Sequence, residues 1–446
     1  MSASHGQGHS WKIEIVTWNI AALAPPTGLD LAGLFGDAGD GVLDADVIAV
    51  GLQEVDFYAA RYISGVVTLR EEPWAARFEE FLAKRDYVKL TCGWMARPRL
   101  MGVVLMIFVL RKHLLTVQRV ESKFCRTGLS GYSSHKGAVS VRLTLADGSH
   151  VAFLCAHFAP CNEALSYRIK EYHMVLNAIQ FDSKNVISGD YVFWLGDLNF
   201  RVEGFTAEES LRLIEHNYID KLLEYDQLKR CMASERAFYH FEEASITFKP
   251  TYKFLLNSSD YDLRRAPSWC DRVLWRVEST HRQAERQLNC RSLRYDSKPA
   301  FTNSDHKPVT ASFEIRVFNF DIPSLIRFRY PSATGTWFTG QNNQCQYFVS
   351  RHYAPAVFDW IGIFKRNFKS DNDVVTWAYT VTSWEEAKEA DGSSLTNMLF
   401  KKQHIPDPGT YILGYYSRDR SCLIALSSQF EVASASLDEA VEAKED

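Results

Sequence analysis

No Cys-x-x-Cys pair occurs in this chain, and its nine cysteines are scattered. That spacing argues against a zinc ribbon or a disulfide framework and favours reduced thiols in a cytosolic compartment. Long hydrophobic runs are also missing. The longest, Met101 to Leu110, is interrupted at Gly102 and falls far short of the ~20 residues a spanning helix needs. The first ten residues lack the apolar stretch of a secretory leader. Nor is there an excess of positive charge: 50 Lys and Arg stand against 54 Asp and Glu, a formal charge of −4. General nucleic-acid binders work through a broad basic field, so a polyanionic ligand here must be held by a local cluster. There are no internal repeats. What remains is a globular composition, 46% hydrophobic and 23% charged over 446 residues, with room for two or three domains of roughly 100–200 residues each.

The most informative stretch is Trp194-Leu195-Gly196-Asp197-Leu198-Asn199-Phe200-Arg201. Tyr191 to Leu195 reads as a buried strand that stops at Gly196. A carboxylate and an amide follow two residues apart, and period-two geometry points both side chains the same way if the strand persists. Around it, short apolar strands are expected at Ile13–Ile20, Val47–Gln53, Val103–Leu110, Val139–Leu145, Val151–Phe158, Arg272–Val277 and Val309–Val317. Helical spacing marks Pro73–Lys84 and Glu163–Phe181. Thr206-Ala207-Glu208-Glu209 has a capping-box pattern before a helix running towards Leu223. Such alternation over residues 11–317 indicates an α/β domain. From residue 318 to 433 the chain turns rich in Tyr, Trp, Phe, Thr and Val with Gly and Pro turns, which reads as an all-β sandwich. The acidic segment 434–446 is expected to be disordered.

Polar residues sit where the strands end: Asn19, Gln53-Glu54, His157, Asp197 with Asn199, Asp271-Arg272, and Ser304-Asp305-His306. These are the types a metal-assisted phosphate hydrolase needs. Glu54 and Asn19 offer hard oxygen donors suited to Mg²⁺. Asp197 is placed to hold and deprotonate a water, and Asn199 to donate to a phosphoryl oxygen. His306 beside Asp271 would form a His–carboxylate pair with a charged ring, and His157 is a candidate second acid. The ordinary reading of any one of these is a solvated loop or turn residue; six coinciding is far harder to dismiss. Tyr252, Lys253, Arg265, Arg272 and Lys136 form the basic group expected to grip a ligand with several phosphates. A Cys-x₅-Arg spacing occurs at Cys270 to Arg276, but it contains no glycine and reads as strand, so a cysteinyl-phosphate route has little support.

These segments resemble the inositol polyphosphate 5-phosphatase family. WLGDLNFR and PSWCDRVLW are similar to its two signature motifs, and TWNI, GLQEV, LLEYDQL, PTYKF and SDHKPV follow in family order between residues 11 and 317. Phe358-Asp359-Trp360-Ile361-Gly362, Thr376-Trp377-Ala378-Tyr379 and Gly414-Tyr415-Tyr416 resemble a SKICH domain, an immunoglobulin-like sandwich used for targeting. The resemblance implies a deoxyribonuclease-I-like two-sheet sandwich flanked by helices. It also implies Mg²⁺-dependent removal of the 5-phosphate from phosphoinositides such as PtdIns(4,5)P₂ and PtdIns(3,4,5)P₃, or from soluble inositol phosphates. By motif, Asn19 and Glu54 lie on the metal side. Asp197, Asn199, Asp271, His306, Asp305 and His157 are catalytic, and Tyr252, Lys253 and Arg272 face a neighbouring phosphate. The expected setting is cytoplasmic, at the plasma membrane or endoplasmic reticulum, with a protein partner through the SKICH unit. Leu129 and Leu255-Leu256 are candidate membrane contacts. Two rivals are a nuclease of the same fold, disfavoured by the charge, and a catalytically idle phosphoinositide-binding adaptor.

Overall fold

The computed structural model describes residues 8–36, 43–55, 73–91, 99–100, 102–128, 133–278, 287–318, 324–331, 336–401 and 407–434. Leu129 and residues 435–446 of the acidic segment lie outside them.

The first unit stacks two sheets. One carries β1 (Gly8–Asn19), β2 (Val47–Gln53), β3 (Tyr87–Leu90), β4 (Val103–Leu110), β12 (Cys290–Ser297) and β13 (Val309–Phe318), in the order β12-β13-β1-β2-β4-β3. The other carries β5 (Val117–Gly128), β6 (Ser133–Leu145), β7 (His150–His157), β10 (Tyr191–Asp197) and β11 (Asp271–Val277), in the order β11-β10-β7-β6-β5. A two-residue hairpin, β8 (Gln180–Phe181) and β9 (Lys184–Asn185), stands apart. The central strands read as unbroken apolar runs because both their faces are buried. Ile13, Ile15, Val47, Ala49, Phe193 and Leu195 fill the space between the sheets. On the outer face of one sheet, Val16, Trp18, Ile48 and Val50 meet Trp74 and Phe78 of α1 (Pro73–Ala83). On the outer face of the other, Leu154 and Trp194 meet Tyr172 and Val175 of α2 (Leu165–Ala178).

Thr206 caps α3 (Ala207–Glu215) with a full capping box, satisfying two of the amide donors left free at a helix start. The helix expected to continue to Leu223 instead breaks at Asn217, which adopts φ +60, and restarts as α4 (Ile219–Leu223). Asp226 then caps α5 (Gln227–Ala233). In the two main sheets, the strands that periodicity did not mark, β3, β5 and β12, are all edges. Edge strands carry charges in place of a continuous apolar run, as Arg291, Arg294 and Asp296 do on β12.

The second unit is an all-β sandwich. One sheet orders β14 (Ile326–Tyr330), β16 (Asn343–Val349), β20 (Ser394–Phe400) and β19 (Trp384–Lys388). The other orders β15 (Thr336–Phe338), β23 (Phe430–Ala433), β21 (Gly409–Ser417), β17 (Trp360–Lys365) and β18 (Val374–Tyr379), with β22 (Cys422–Leu426) also paired to β21. Ile361, Ile363, Leu413 and Tyr415 pack between them. Asp359, fully buried, accepts from Tyr353 Oη at 2.6 Å, Tyr415 Oη at 3.0 Å and the Arg418 amide at 2.8 Å. Its oxygens tie two connecting segments to β21.

Candidate active site

Strand register assembles the site. Parallel pairing of β1 with β2 sets Asn19 opposite Gln53 at the carboxyl end of the first sheet. Parallel pairing of β7 with β10 sets His157 opposite Asp197, and antiparallel β11 brings Asp271 to the other side of Asp197. The strand ends of two stacked sheets therefore face one another across a short gap.

Asp197, buried, is the hub. Its Oδ2 accepts from Asn19 Nδ2 at 3.0 Å, lies 3.2 Å from His157 Nε2, and stands 3.9 Å from His306 Nε2. Its Oδ1 accepts from the Asn199 amide at 3.1 Å. Burial alone would raise the Asp197 carboxyl. The 3.2 Å contact with His157 and the charges of His306 and Lys136 instead hold it well below the usual carboxylate range. His306 Nδ1 is 2.9 Å from Asp271 Oδ2, which also accepts from Thr251 Oγ1 at 2.7 Å. Burial pulls the ring down, yet Asp271 lifts it to about 9, so His306 is cationic at neutral pH.

His157 behaves differently. Burial and the Lys136 ammonium, which touches its Nε2, push this ring below its usual value. A protonated His157 acid is therefore not what the arrangement offers. Nor does the strand persist through Asn199. β10 ends at Asp197, and Asn199 turns into φ +58, so the period-two expectation lapses. Its Nδ2 donates to Phe158 O at 3.0 Å, and its Oδ1 accepts from Arg201. Asn199 thus sits behind Asp197 and holds it through its own amide.

The basic group divides. Lys136 lines the gap, and Lys253 Nζ stands at its rim, 3.5 Å from Asp305 Oδ2. Asp305 thus faces a lysine at the edge and not the Asp197 hub. Tyr252 lies with its ring 4.4 Å from that of His306 and 4.3 Å from the Arg201 guanidinium. Arg265 is exposed. Arg272 is not brought to the gap: it is fully buried and paired with Asp226 at 2.9 Å and Glu243 at 2.5 Å. Successive strand residues face opposite ways, and with Asp271 on the site side its neighbour must point away. Cys270 is also fully buried, which pushes its thiol well above its usual value. Arg276 donates to Ile187 O, so no cysteine–arginine phosphate loop exists here.

Oxygen donors for a metal are present. Glu54 takes φ +58 just past β2. Among the described residues its carboxylate has no ion-pair partner nearer than His157 Nε2 at 3.8 Å. Among the described residues, Asn19 Oδ1 accepts only the Ala21 amide, at 3.0 Å. This hard, uncommitted pair fits Mg²⁺ or Ca²⁺. Asp197, Asp271 and His306 also place ligating atoms within 4.8 Å of one another, but a protonated His306 has no lone pair to give.

Residues 16–312 match the endonuclease/exonuclease/phosphatase family 2. The chain belongs to this family. Residues 332–432 match the SKICH domain. Human phosphatidylinositol 4,5-bisphosphate 5-phosphatase A is 31% identical over 95% of this family member, which spans only 42% of that relative's length. Inositol polyphosphate 5-phosphatase K of Mus musculus is 28% identical over 96% of the chain and 90% of its own. The inositol polyphosphate 5-phosphatase domain of SPsynaptojanin, solved with inositol (1,4)-bisphosphate and a calcium ion, superposes with a TM-score of 0.58. It is 27% identical, covering 71% of this chain and 87% of that one. A Cimex nitrophorin, solved as a ferrous NO complex, is also similar, with a TM-score of 0.53 and 26% identity over 69% of this chain and 99% of its own. The fold alone therefore does not choose the chemistry.

For this family member, reading single residues missed four supports. Thr251 fixes Asp271. Arg201 fixes Asn199. Ser304 Oγ donates to Asn19 O at 2.6 Å, and Gln53 Nε2 donates to Thr17 Oγ1 at 3.1 Å. All four lie inside segments already singled out. Which residue touches ligand and which touches another side chain was the part that spacing could not assign.

Proposed function

We propose that this chain hydrolyses the 5-phosphate of phosphoinositides and inositol polyphosphates, with residues 11–317 as the catalytic unit and 318–433 as a SKICH targeting unit. The observation that carries the reading is the ionised Asp197 facing a cationic His306 whose other nitrogen is held by Asp271. An uncommitted carboxylate, Glu54, stands on the opposing sheet.

Asp197 accepts a hydrogen bond from the attacking water and takes its proton as the oxygen bonds to phosphorus. The bond from phosphorus to the inositol 5-oxygen breaks, that oxygen leaves as the alcohol after taking a proton from solvent water, and Asp197 returns its proton to solvent. His306, 3.9 Å away, neutralises charge building on the phosphoryl oxygens. Lys136 and Lys253 meet the remaining phosphates as point charges, and Arg265 serves the outer edge of a polyphosphorylated ring. Glu54 and Asn19 would hold Mg²⁺. When bound, such an ion supplies charge neutralisation at the phosphoryl and leaving oxygens. Asn199 and Thr251 keep Asp197 and Asp271 in place.

The relatives' names support phosphoinositides as the substrate class. No helix of the described residues is long and apolar enough to cross a membrane. The phosphoinositide substrates named for the relatives are the ground on which we place the chain in the cytoplasm, meeting membranes from the side. The deciding experiment is release of phosphate from diC8-PtdIns(4,5)P₂ with Mg²⁺, with EDTA and with Asp197→Ala. Metal-dependent release of PtdIns4P that falls roughly 10²–10⁴-fold in the variant is expected. Binding without any release, from this substrate or from Ins(1,4,5)P₃, would leave an adaptor. Cleavage of plasmid DNA in its place would make it a nuclease.

A further inference from the structure

Each sheet of the first unit has an open edge on the same side of the molecule, β3 in one and β5 in the other. The second unit meets both. On β3, the Lys89 amide donates to Lys369 O at 2.9 Å and Lys89 O accepts the Asp371 amide at 3.1 Å. Residues 369–371 thus lie along the edge as a short added strand, bridged in parallel at Ser370. The Asp371 side chain continues inward: its Oδ1 accepts from the Thr91 amide at 3.0 Å and from Thr91 Oγ1 at 2.7 Å. Asp371 is 1% exposed. Arg111 Nη2 donates to Phe368 O at 2.8 Å, with its guanidinium 4.5 Å from the Phe368 ring. On β5, the Val120 amide donates to Arg420 O at 2.9 Å, and Arg420 Nη1 donates to Gln118 Oε1 at 3.1 Å. Beneath these bonds, Leu114, Val117 and Val120 share one apolar core with Phe368, Cys422 and Leu423.

We infer that the SKICH sandwich is a permanent clamp across both open edges of the first unit, and that the two units fold and unfold as one. A tethered targeting module would meet its neighbour through side chains at a polar, sliding surface. Here main-chain hydrogen bonds from both sheets cross the junction, as in strand addition. A buried carboxylate also depends on the other unit for the Thr91 amide and hydroxyl donors to its Oδ1. Separation would strip Asp371 of Thr91 and expose two unpaired strand edges, a recognised route to aggregation. The clamp holds whatever reaction the site performs, so its failure and that of the proposed function are separable.

Hydrogen–deuterium exchange and thermal unfolding of the full chain test it. Wild type should melt in one transition, with the Lys89 and Val120 amides protected like those of the central strands. Asp371→Lys should cut that protection on the order of 10- to 100-fold and separate the melt into two steps. Arg111→Ala, a milder change, should lower it several-fold if the lysine variant fails to fold. Phe358→Ser, exposed elsewhere on the same sandwich, should change neither. Two independent transitions in wild type overturn the inference. So does exchange at Lys89 and Val120 as fast as an exposed loop, or protection unaltered in every foldable interface variant.

Discussion

Asp197 and His306 owe their charge states to burial with specific partners, and each makes a testable residue-scale expectation. Asp197→Ala should lower turnover roughly 10²–10⁴-fold while leaving circular dichroism and headgroup binding largely intact. Collapse of the fold would instead make this carboxylate structural. His306 is raised from 6.5 to about 9 in the folded protein. Its proton is therefore bound below that value and lost as pH rises through it. The stabilisation from the Asp271 pair is full below 6.5 and disappears by the same limit. The kcat profile should fall on an alkaline limb near 9, and His306→Gln should abolish the limb together with most activity. A limb unmoved by that substitution would assign the titration elsewhere.

Secondary-structure elements decide what neighbouring residues can do. Asp271 and Arg272 are adjacent in the signature segment, yet β11 sends one to the gap and the other into a buried trio with Asp226 and Glu243. Removing a buried partner leaves uncompensated charge, so Arg272→Met should cost about 3–5 kcal/mol. Chemical denaturation would show this, with KM of the surviving folded fraction unchanged; a raised KM at full stability would restore a ligand role. Gly196 occupies φ +142 where a Cβ would stand 2.0 Å from Ala156 O. Gly196→Ala should therefore yield little soluble protein, because β10 cannot keep its register against β7. Strand ends were legible because doubly buried strands are continuous apolar words. Asn199 was not, since its left-handed turn breaks the two-residue period just where the site begins.

For the whole molecule, the proposed metal and membrane contacts are the ones to test. EDTA should abolish turnover and Mg²⁺ restore it, whereas Glu54→Gln should raise the Mg²⁺ concentration needed for half activity. An unchanged requirement would move the ion to other oxygens. Leu255 and Leu256 are 46% and 52% exposed beside the Lys253 rim, and burying them in lipid would recover apolar area. Leu255→Glu should weaken flotation with anionic vesicles without touching hydrolysis of soluble substrate; equal flotation would remove that contact.

Composition and order alone determined an α/β unit followed by an all-β one, the doubly buried strands and the polar residues at their ends, of the types a phosphate hydrolase needs; the two-sheet architecture came with the family resemblance. Periodicity and residue type act locally, so one sequence carries them plainly. Tertiary structure alone decided which of those residues meet. Stacking two sheets placed Glu54 across from Asp197, strand alternation withdrew Arg272, burial beside Lys136 pushed the His157 ring down while Asp271 made His306 a cation, and the two edge strands acquired partners about 280 and 300 residues away in the chain. Distances and local dielectric set these outcomes, and neither exists until the chain has closed on itself.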